Sequence, residues 1–443
     1  MAATDSLPSS ASMRAHRSAL IHSLDDPAEV GISSSYEYFE DGLLVIDAQG
    51  KVVAAGAATD LLPTLPQDAV VREHSDSLIC PGFIDSHIHY PQTGMIASYG
   101  EQLLEWLNNY TFPAEQDFED VVHARDVADV FLTELLRNGT TTAMVFGTVH
   151  PGSVDAFFEA AEARQLRMIA GKVLMDRNAP EYLLDTPESG YADSKALIER
   201  WHGKGRLHYA VTPRFALTSS DEQLTLAGQL LQEHPGLYLH SHLSENPEEV
   251  AWVKQLFPNR DGYLDVYDHF QLLGARSVFA HGIHLTDNEY RRLAETGTVI
   301  AFCPSSNLFL GSGLLNLKAM EAYRVQVGLG TDVGAGTSFS ILETLSDAYK
   351  VTQLQKYSLN PFKSLYLSTL GNARSLSLDG KIGNFAAGKE ADFVVLDYHA
   401  TPLMGYRMAR ARSIEERLFV MMTLGDDRAV RQTFAMGQPV FTR

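Results

Sequence analysis

The spacing of apolar positions changes twice along this chain. From about residue 14 to 80 they fall in short stretches, RSALIHSL, YEYFEDGLLVID and AQGKVVAAG, broken by turn residues such as Gln49-Gly50. Such stretches carry no helical period and read as strands. The same style returns in ADFVVLD (391–397) and QPVFTR (438–443). Chain termini often lie close together, so one small β domain built from both ends accounts for the two segments. Between them lie eight apolar or β-branched runs: FIDSHIHY (83–90), TTAMVFGT (141–148), MIAGKVLMD (168–176), HYAVTPRFA (208–216), LYLHSHLSEN (237–246), SVFAHGIHL (277–285), TVIAFCPSSN (298–307) and VQVGLGTDVGAG (325–336). Helical stretches separate them. Strand–helix alternation predicts a parallel sheet, and eight repeats predict a closed barrel. The expected fold is α/β: a (β/α)8 barrel over 81–380 with a small β-sandwich domain from 1–80 and 381–443.

The helix after the first run is legible by itself. DFEDVVHARDVADVFLTELLRNG (117–139) sets Val121, Val122, Ala128, Phe131, Leu132 and Leu135 near helical spacing, with Gly139 at its end, where helices commonly stop.

Composition narrows the function. The 443 residues suffice for a barrel and an accessory domain, since the barrel alone takes roughly 250. The formal charge is −20, from 35 basic and 55 acidic residues, with no basic run. That argues against nucleic acid and anionic membrane partners. Cys80 and Cys303 are the only cysteines. They exclude a disulfide framework and a Cys-x-x-Cys metal site, and they suit a reducing, cytoplasmic setting. They also exclude the nucleobase deaminases that hold zinc with a His/Cys/Cys set. No apolar stretch reaches the roughly 18 residues of a membrane span, and residues 1–24 lack the continuous apolar region of a secretory leader.

Barrel enzymes carry their chemistry at the C-terminal ends of the strands. Here those ends hold metal-ligand types. The first run supplies His87 and His89, which as i and i+2 share a strand face. The fifth supplies His240, His242 and then Glu245, the sixth His281, the eighth Asp332. Three histidines and a carboxylate suit Zn²⁺ and leave one position for water.

PGFIDSHIHYPQ (81–92), HLSEN (242–246), AHGIHL (280–285), GLGTDVGAG (328–336) and IGNFAAGKEADFVVLD (382–397) resemble, in order, the motifs of the amidohydrolase superfamily. The resemblance implies one metal held by His87, His89, His242 and Asp332. It implies Glu245 as proton shuttle, with His281 and Asp332 serving the reactive water. It leaves His240 without a role, so that residue reads as structural support. Two-metal members use a modified lysine on the fourth strand; Pro213 and Arg214 stand there instead, which implies a single ion.

Gln92, Arg214-Phe215 and TFPAEQ (111–116) resemble the guanine-deaminating branch of the superfamily. In that branch a metal-activated hydroxide attacks C2 of guanine and releases ammonia and xanthine. Arg214 would then donate to the C6 carbonyl, Gln92 would serve a ring edge and Phe215 would stack on the purine. The resemblance also implies a homodimer. From the residues alone, Arg214 stays open to a salt-bridge reading, Phe215 to core packing and Gln92 to plain loop polarity. Trp106 and Tyr110 either cover the ring or pack a helix, and Ser305, Ser306 and Asn307 either line the pocket or support it. Two rival functions are an aminohydrolase or chlorohydrolase acting on a triazine, a pterin or another purine, and a non-catalytic scaffold.

Overall fold

The computed structural model describes residues 13–99 and 102–443. Eight parallel strands follow one another around a barrel: Phe83–His89, Thr140–Phe146, Arg167–Gly171, His208–Pro213, Tyr238–Leu243, Ser277–His281, Val299–Phe302 and Gln326–Leu329. Each begins within a residue or so of its expected run and stops short of the run's end. The chain leaves the ladder there through left-handed backbone at Ser244 (φ 50°), His281 (φ 76°) and Asp332 (φ 52°). The helix predicted after the first strand is Val121–Arg137, capped by the Asp120 carboxylate. Val122, which shares the helical spacing, is 63% exposed; its place in the first turn, next to the cap, turns it outward.

Inside the barrel Ile84, Met144, Ile169, Ala210, Val278 and Val299 form one apolar cluster with Leu376. The Tyr238 hydroxyl donates to the Leu376 carbonyl at 2.7 Å. This plugs the barrel's N-terminal end and leaves the C-terminal mouth for function.

The seam between the eighth and first strands is stitched by a side chain. The Asn372 amide nitrogen donates to the Ile84 and Leu329 carbonyls, and its oxygen accepts from the Leu329 amide at 2.7 Å. Asn372 is fully buried. Asn372→Ala is expected to lower the urea midpoint and the melting temperature, because each buried backbone group left unpaired costs about 1–3 kcal/mol. An unchanged melting curve would mean that the seam closes without Asn372.

Both chain ends meet in one seven-stranded sheet, ordered Gln438–Thr442, Val430–Ala435, Phe393–Asp397, Val70–Pro81, Arg14–Ser23, Tyr36–Ile46, Val52–Ala57. Only the Arg14–Ser23 and Val70–Pro81 pair is parallel. Strands Val70–Pro81 and Val430–Ala435 were not anticipated; their charged and polar residues hide the apolar pattern. Val70–Pro81 runs through Gly82 directly into the first barrel strand. A Cβ at Gly82 would stand 2.3 Å from the Thr141 hydroxyl, so only glycine fits. Arg167 and Arg206 at the barrel base grip Glu390 at 2.6 and 2.8 Å, and Arg206 also pairs with Asp392. The sheet is thereby fastened beneath the barrel, away from the mouth. Among the described residues no helix is long and apolar enough to cross a membrane.

Candidate active site

Strand register delivers the donors. His87 and His89 share a face of the first strand, and His242 ends the fifth. Asp332 follows the eighth strand, where its amide donates to the His87 carbonyl at 2.9 Å. The four side chains converge. Asp332 Oδ1 lies 3.1 Å from His87 Nε2 and 3.2 Å from His89 Nε2. His89 Nε2 lies 3.2 Å from His87 Nε2 and 3.3 Å from His242 Nε2. Nitrogens sharing a tetrahedral Zn²⁺ at about 2.0–2.1 Å stand about 3.3 Å apart. The second ring nitrogens of His242 and His87 are paired, whereas Nδ1 of His89 is buried without a partner. His242 Nδ1 donates to the Arg214 carbonyl at 2.7 Å, and His87 Nδ1 meets His240 Nε2 at 2.7 Å. A carbonyl only accepts, so the proton of His242 sits on Nδ1 and its Nε2 lone pair faces the cluster. Burial lowers the pKa of all four histidines, His87, His89, His240 and His242. It thus keeps their imidazoles neutral, the form that binds metal. Burial opposes ionisation of Asp332, but the neighbouring imidazoles of His87 and His89 outweigh it and hold the carboxyl well below the usual range. The donor set fits one divalent cation. His240, left without a role by the sequence, is the group that sets the His87 ring.

Two site residues, His281 and Asp332, hold left-handed backbone, a conformation that persists only where the surroundings impose it. Asp85 does part of that work. It accepts from the His87 amide (3.1 Å), the Thr331 amide (3.1 Å) and the Thr331 hydroxyl (2.5 Å), tying the first strand to the loop that carries Asp332.

Glu245 stands beside the donors, with Oε2 3.3 Å from His281 Nε2. The Ser312 hydroxyl donates to its other oxygen at 3.0 Å. Burial, then the Asp332 charge, push the Glu245 carboxyl up to about 8, so in the protein without an ion it keeps a proton near neutral pH. The Glu245 and Asn246 amides donate to the Glu249 carboxylate at 2.8 and 3.1 Å, which fixes the turn. Asn307 Oδ1 accepts from His281 Nδ1 at 2.9 Å and aims Nε2 at Glu245. Asn307 thus supports the site. Ser305 bonds Asp347 at 2.8 Å, and Ser306 is fully buried; none of the three lines the cleft. Ser312 escaped the sequence reading because nothing local marks its loop.

A narrow cleft with a cavity volume of about 30 Å³ opens over this cluster. Gln92, Arg214 and Phe215 line it, and Leu103, Trp106, Leu107 and Leu310 add apolar lining. Trp106 therefore covers the cleft, whereas Tyr110 packs half-buried against the core. Phe215 reaches within 6.4 Å of the His242 ring, edge-on. Arg214 lines the cleft and is salt-bridged as well. Its Nη1 donates to both oxygens of Glu115, at 2.9 and 2.8 Å. Glu115 was missed as a site residue, although it lies within the segment TFPAEQ. Its partner stands ninety-nine positions away, a pairing no local pattern reveals.

The amidohydrolase family model matches residues 78–440. The chain is 56% identical to the guanine deaminase of Escherichia coli (strain K12), over 95% of each chain. A solved structure of the E. coli guanine deaminase superposes with a TM-score of 0.94 at 54% identity, covering 98% of this chain and 99% of that one. A guanine deaminase from C. acetobutylicum, solved with guanine bound in the active site, gives 0.87 at 27% identity over 97% and 100%.

Proposed function

Because the chain belongs to the amidohydrolase family, we propose from its site that it hydrolyses guanine to xanthine and ammonia. The observation that carries this reading is the cleft itself. Its lining brings Arg214, Gln92 and Phe215 together with Glu245, His89, His242 and Asp332, which gives recognition and proton transfer one shared space. The named guanine deaminases among the relatives point the same way.

In this reading His87, His89, His242 and Asp332 hold one Zn²⁺ per chain. When bound, such an ion lowers the pKa of a coordinated water toward roughly 7, so that hydroxide is present at neutral pH. The absence of a lysine at the end of the fourth strand supports a single ion. Lys172, buried at the third strand, is occupied by Asp185 at 2.5 Å. Glu245 takes one proton of the attacking water and delivers it to ring nitrogen N3; it then carries the second proton, from the hydroxyl added at C2, to the departing amine, so that ammonia leaves as the C2 carbonyl forms. His281, aimed by Asn307, and Asp332 orient that water toward C2. Arg214 donates to the C6 carbonyl, Gln92 meets a ring edge, and Phe215 and Trp106 enclose the base and exclude bulk water. Buried thiols at Cys80 and Cys303 suit a cytoplasmic setting; the homodimer rests on family resemblance alone.

Ammonia and xanthine should appear in equal amounts when the metal-loaded protein is given guanine. Ammonia from a triazine or pterin, and none from guanine, would replace this substrate with another of the same chemistry. A second expected result concerns Arg214. Arg214→Ala should keep its metal and lower kcat/KM for guanine by roughly ten- to a hundredfold, the worth of a charged hydrogen bond. It should lower the rate with 2-aminopurine, which lacks the C6 oxygen, much less. Equal losses with both purines would reduce Arg214 to a support for the mouth.

A further inference from the structure

We propose that Glu115 sets the purine selectivity of the site: it aims Arg214 and Gln92 at the ring and neutralises the pocket, so that an uncharged base is preferred. The proposal rests on the guanine reading above. Glu115 is a positioning residue, because it is not among the side chains that line the cleft.

Glu115 is fully buried and Arg214 is 2% exposed. Both carboxylate oxygens take Nη1 of Arg214, at 2.9 and 2.8 Å. This spends one guanidinium nitrogen and fixes the plane of the rest. The Phe112 ring lies 5.4 Å from the same guanidinium and restricts it from another side. Burial raises the Glu115 pKa, while Arg214 and the nearby Gln92 side chain favour its charged form. Gln92 follows the first strand and Arg214 the fourth, so one carboxylate joins two recognition groups from separate strand ends. Gly334 makes room for the Gln92 amide, since a Cβ there would stand 1.8 Å from the Gln92 oxygen. Glu115 belongs to the short helix Phe112–Gln116, in the segment that also supplies Leu103, Trp106 and Leu107 to the cleft. The ion pair therefore latches the apolar lining to the polar one.

Charge gives the pair a second consequence. An arginine buried without its partner is an exposed positive field for any ligand in the same dry space. With Glu115 in place the pair is neutral overall. A neutral base loses nothing on entry, and xanthine, which sheds a ring proton far more readily than guanine, gains no extra hold as an anion. Removing the Glu115 charge should do two opposite things: weaken guanine, by loosening Arg214 and Gln92, and tighten xanthine.

The test uses the zinc-loaded parent, Glu115→Gln, Glu115→Asp, Arg214→Ala and the Glu115→Gln/Arg214→Ala double variant. It measures kcat/KM for guanine and competitive inhibition by 2-aminopurine and by xanthine above neutral pH. Glu115→Gln should lower guanine kcat/KM by roughly ten- to a hundredfold. It should leave 2-aminopurine inhibition within about threefold and tighten xanthine inhibition by about tenfold. In the Arg214→Ala background the same change should add little, because the two residues act as one unit. Glu115→Asp keeps the charge and shortens the reach; it should weaken guanine while xanthine inhibition stays at the parent value. It decides the matter if the glutamine variant fails to fold. Equal losses for guanine and 2-aminopurine with unchanged xanthine inhibition would overturn the proposal, as would additive effects in the double variant. A parent that releases no ammonia from guanine would overturn the reading of the site itself; an active parent with an indifferent Glu115 would overturn only this inference.

Discussion

Asp332→Asn is expected to lose its metal and, with it, more than about four powers of ten in turnover, beyond the roughly 10²–10⁴-fold that proton transfer alone contributes. The substitution is chosen for what it preserves. Asp332 holds left-handed backbone at φ 52°, a region that asparagine tolerates nearly as well as aspartate. Its amide bond to the His87 carbonyl, at 2.9 Å, involves no side-chain atom. The fold should therefore stand, as near-UV circular dichroism would report. What disappears is the charge that faces His87 and His89 at 3.1 and 3.2 Å. Three neutral imidazoles then remain, without the anion that offsets a divalent charge. Elemental analysis should find close to one zinc per parent chain and little in the variant. Two metals per parent chain would overturn the single-ion reading. A variant with full metal and parental turnover would remove Asp332 from the donor set.

Glu245→Gln is expected to do the reverse, keeping the metal and losing about 10²–10⁴-fold in kcat. Glutamine has nearly the shape of glutamate. Its amide oxygen still accepts from the Ser312 hydroxyl, now 3.0 Å from the carboxylate, so the turn and the cleft should persist. It holds no transferable proton. Because Glu245 meets His281 at 3.3 Å and is not one of the four donors, metal content should match the parent. A rate within tenfold of the parent would assign the proton transfer elsewhere. Loss of metal would make Glu245 a ligand. The two substitutions thus separate holding the ion from using it.

The part of this site that lay open in the sequence has a common physical origin. His87 and His89, His242, His281 and Asp332 sit at or beside the C-terminal ends of parallel strands, and a barrel gathers those ends at one mouth. Knowing the strands was therefore enough to know that the residues meet. Period-two geometry placed both histidines of the first strand on one face. Glu245, three residues after His242, entered through the family resemblance. Gln92, Arg214 and Phe215 entered through resemblance, and the structure sets all three at the cleft.

The remainder depended on contacts between segments far apart in the chain, which leave no local trace. Glu115 and Arg214, Asn372 and Ile84, and Glu390 with Arg167 and Arg206 pair across long stretches of sequence. Each is a polar group that burial obliges to find a partner, and only the folded chain says which. His240 shows the division within a single residue. The sequence placed it on the strand that carries His242. Its task, holding the His87 ring at 2.7 Å, exists only once the first and fifth strands share a barrel. The sequence by itself determined the barrel, the meeting of the chain ends and which metal-ligand types stand at the strand ends, because strand period and strand order are local properties. The tertiary structure decided how each donor ring is turned, which carboxylate neutralises Arg214 and which side chain closes the seam, because those choices are settled by the desolvation of groups that meet only after folding.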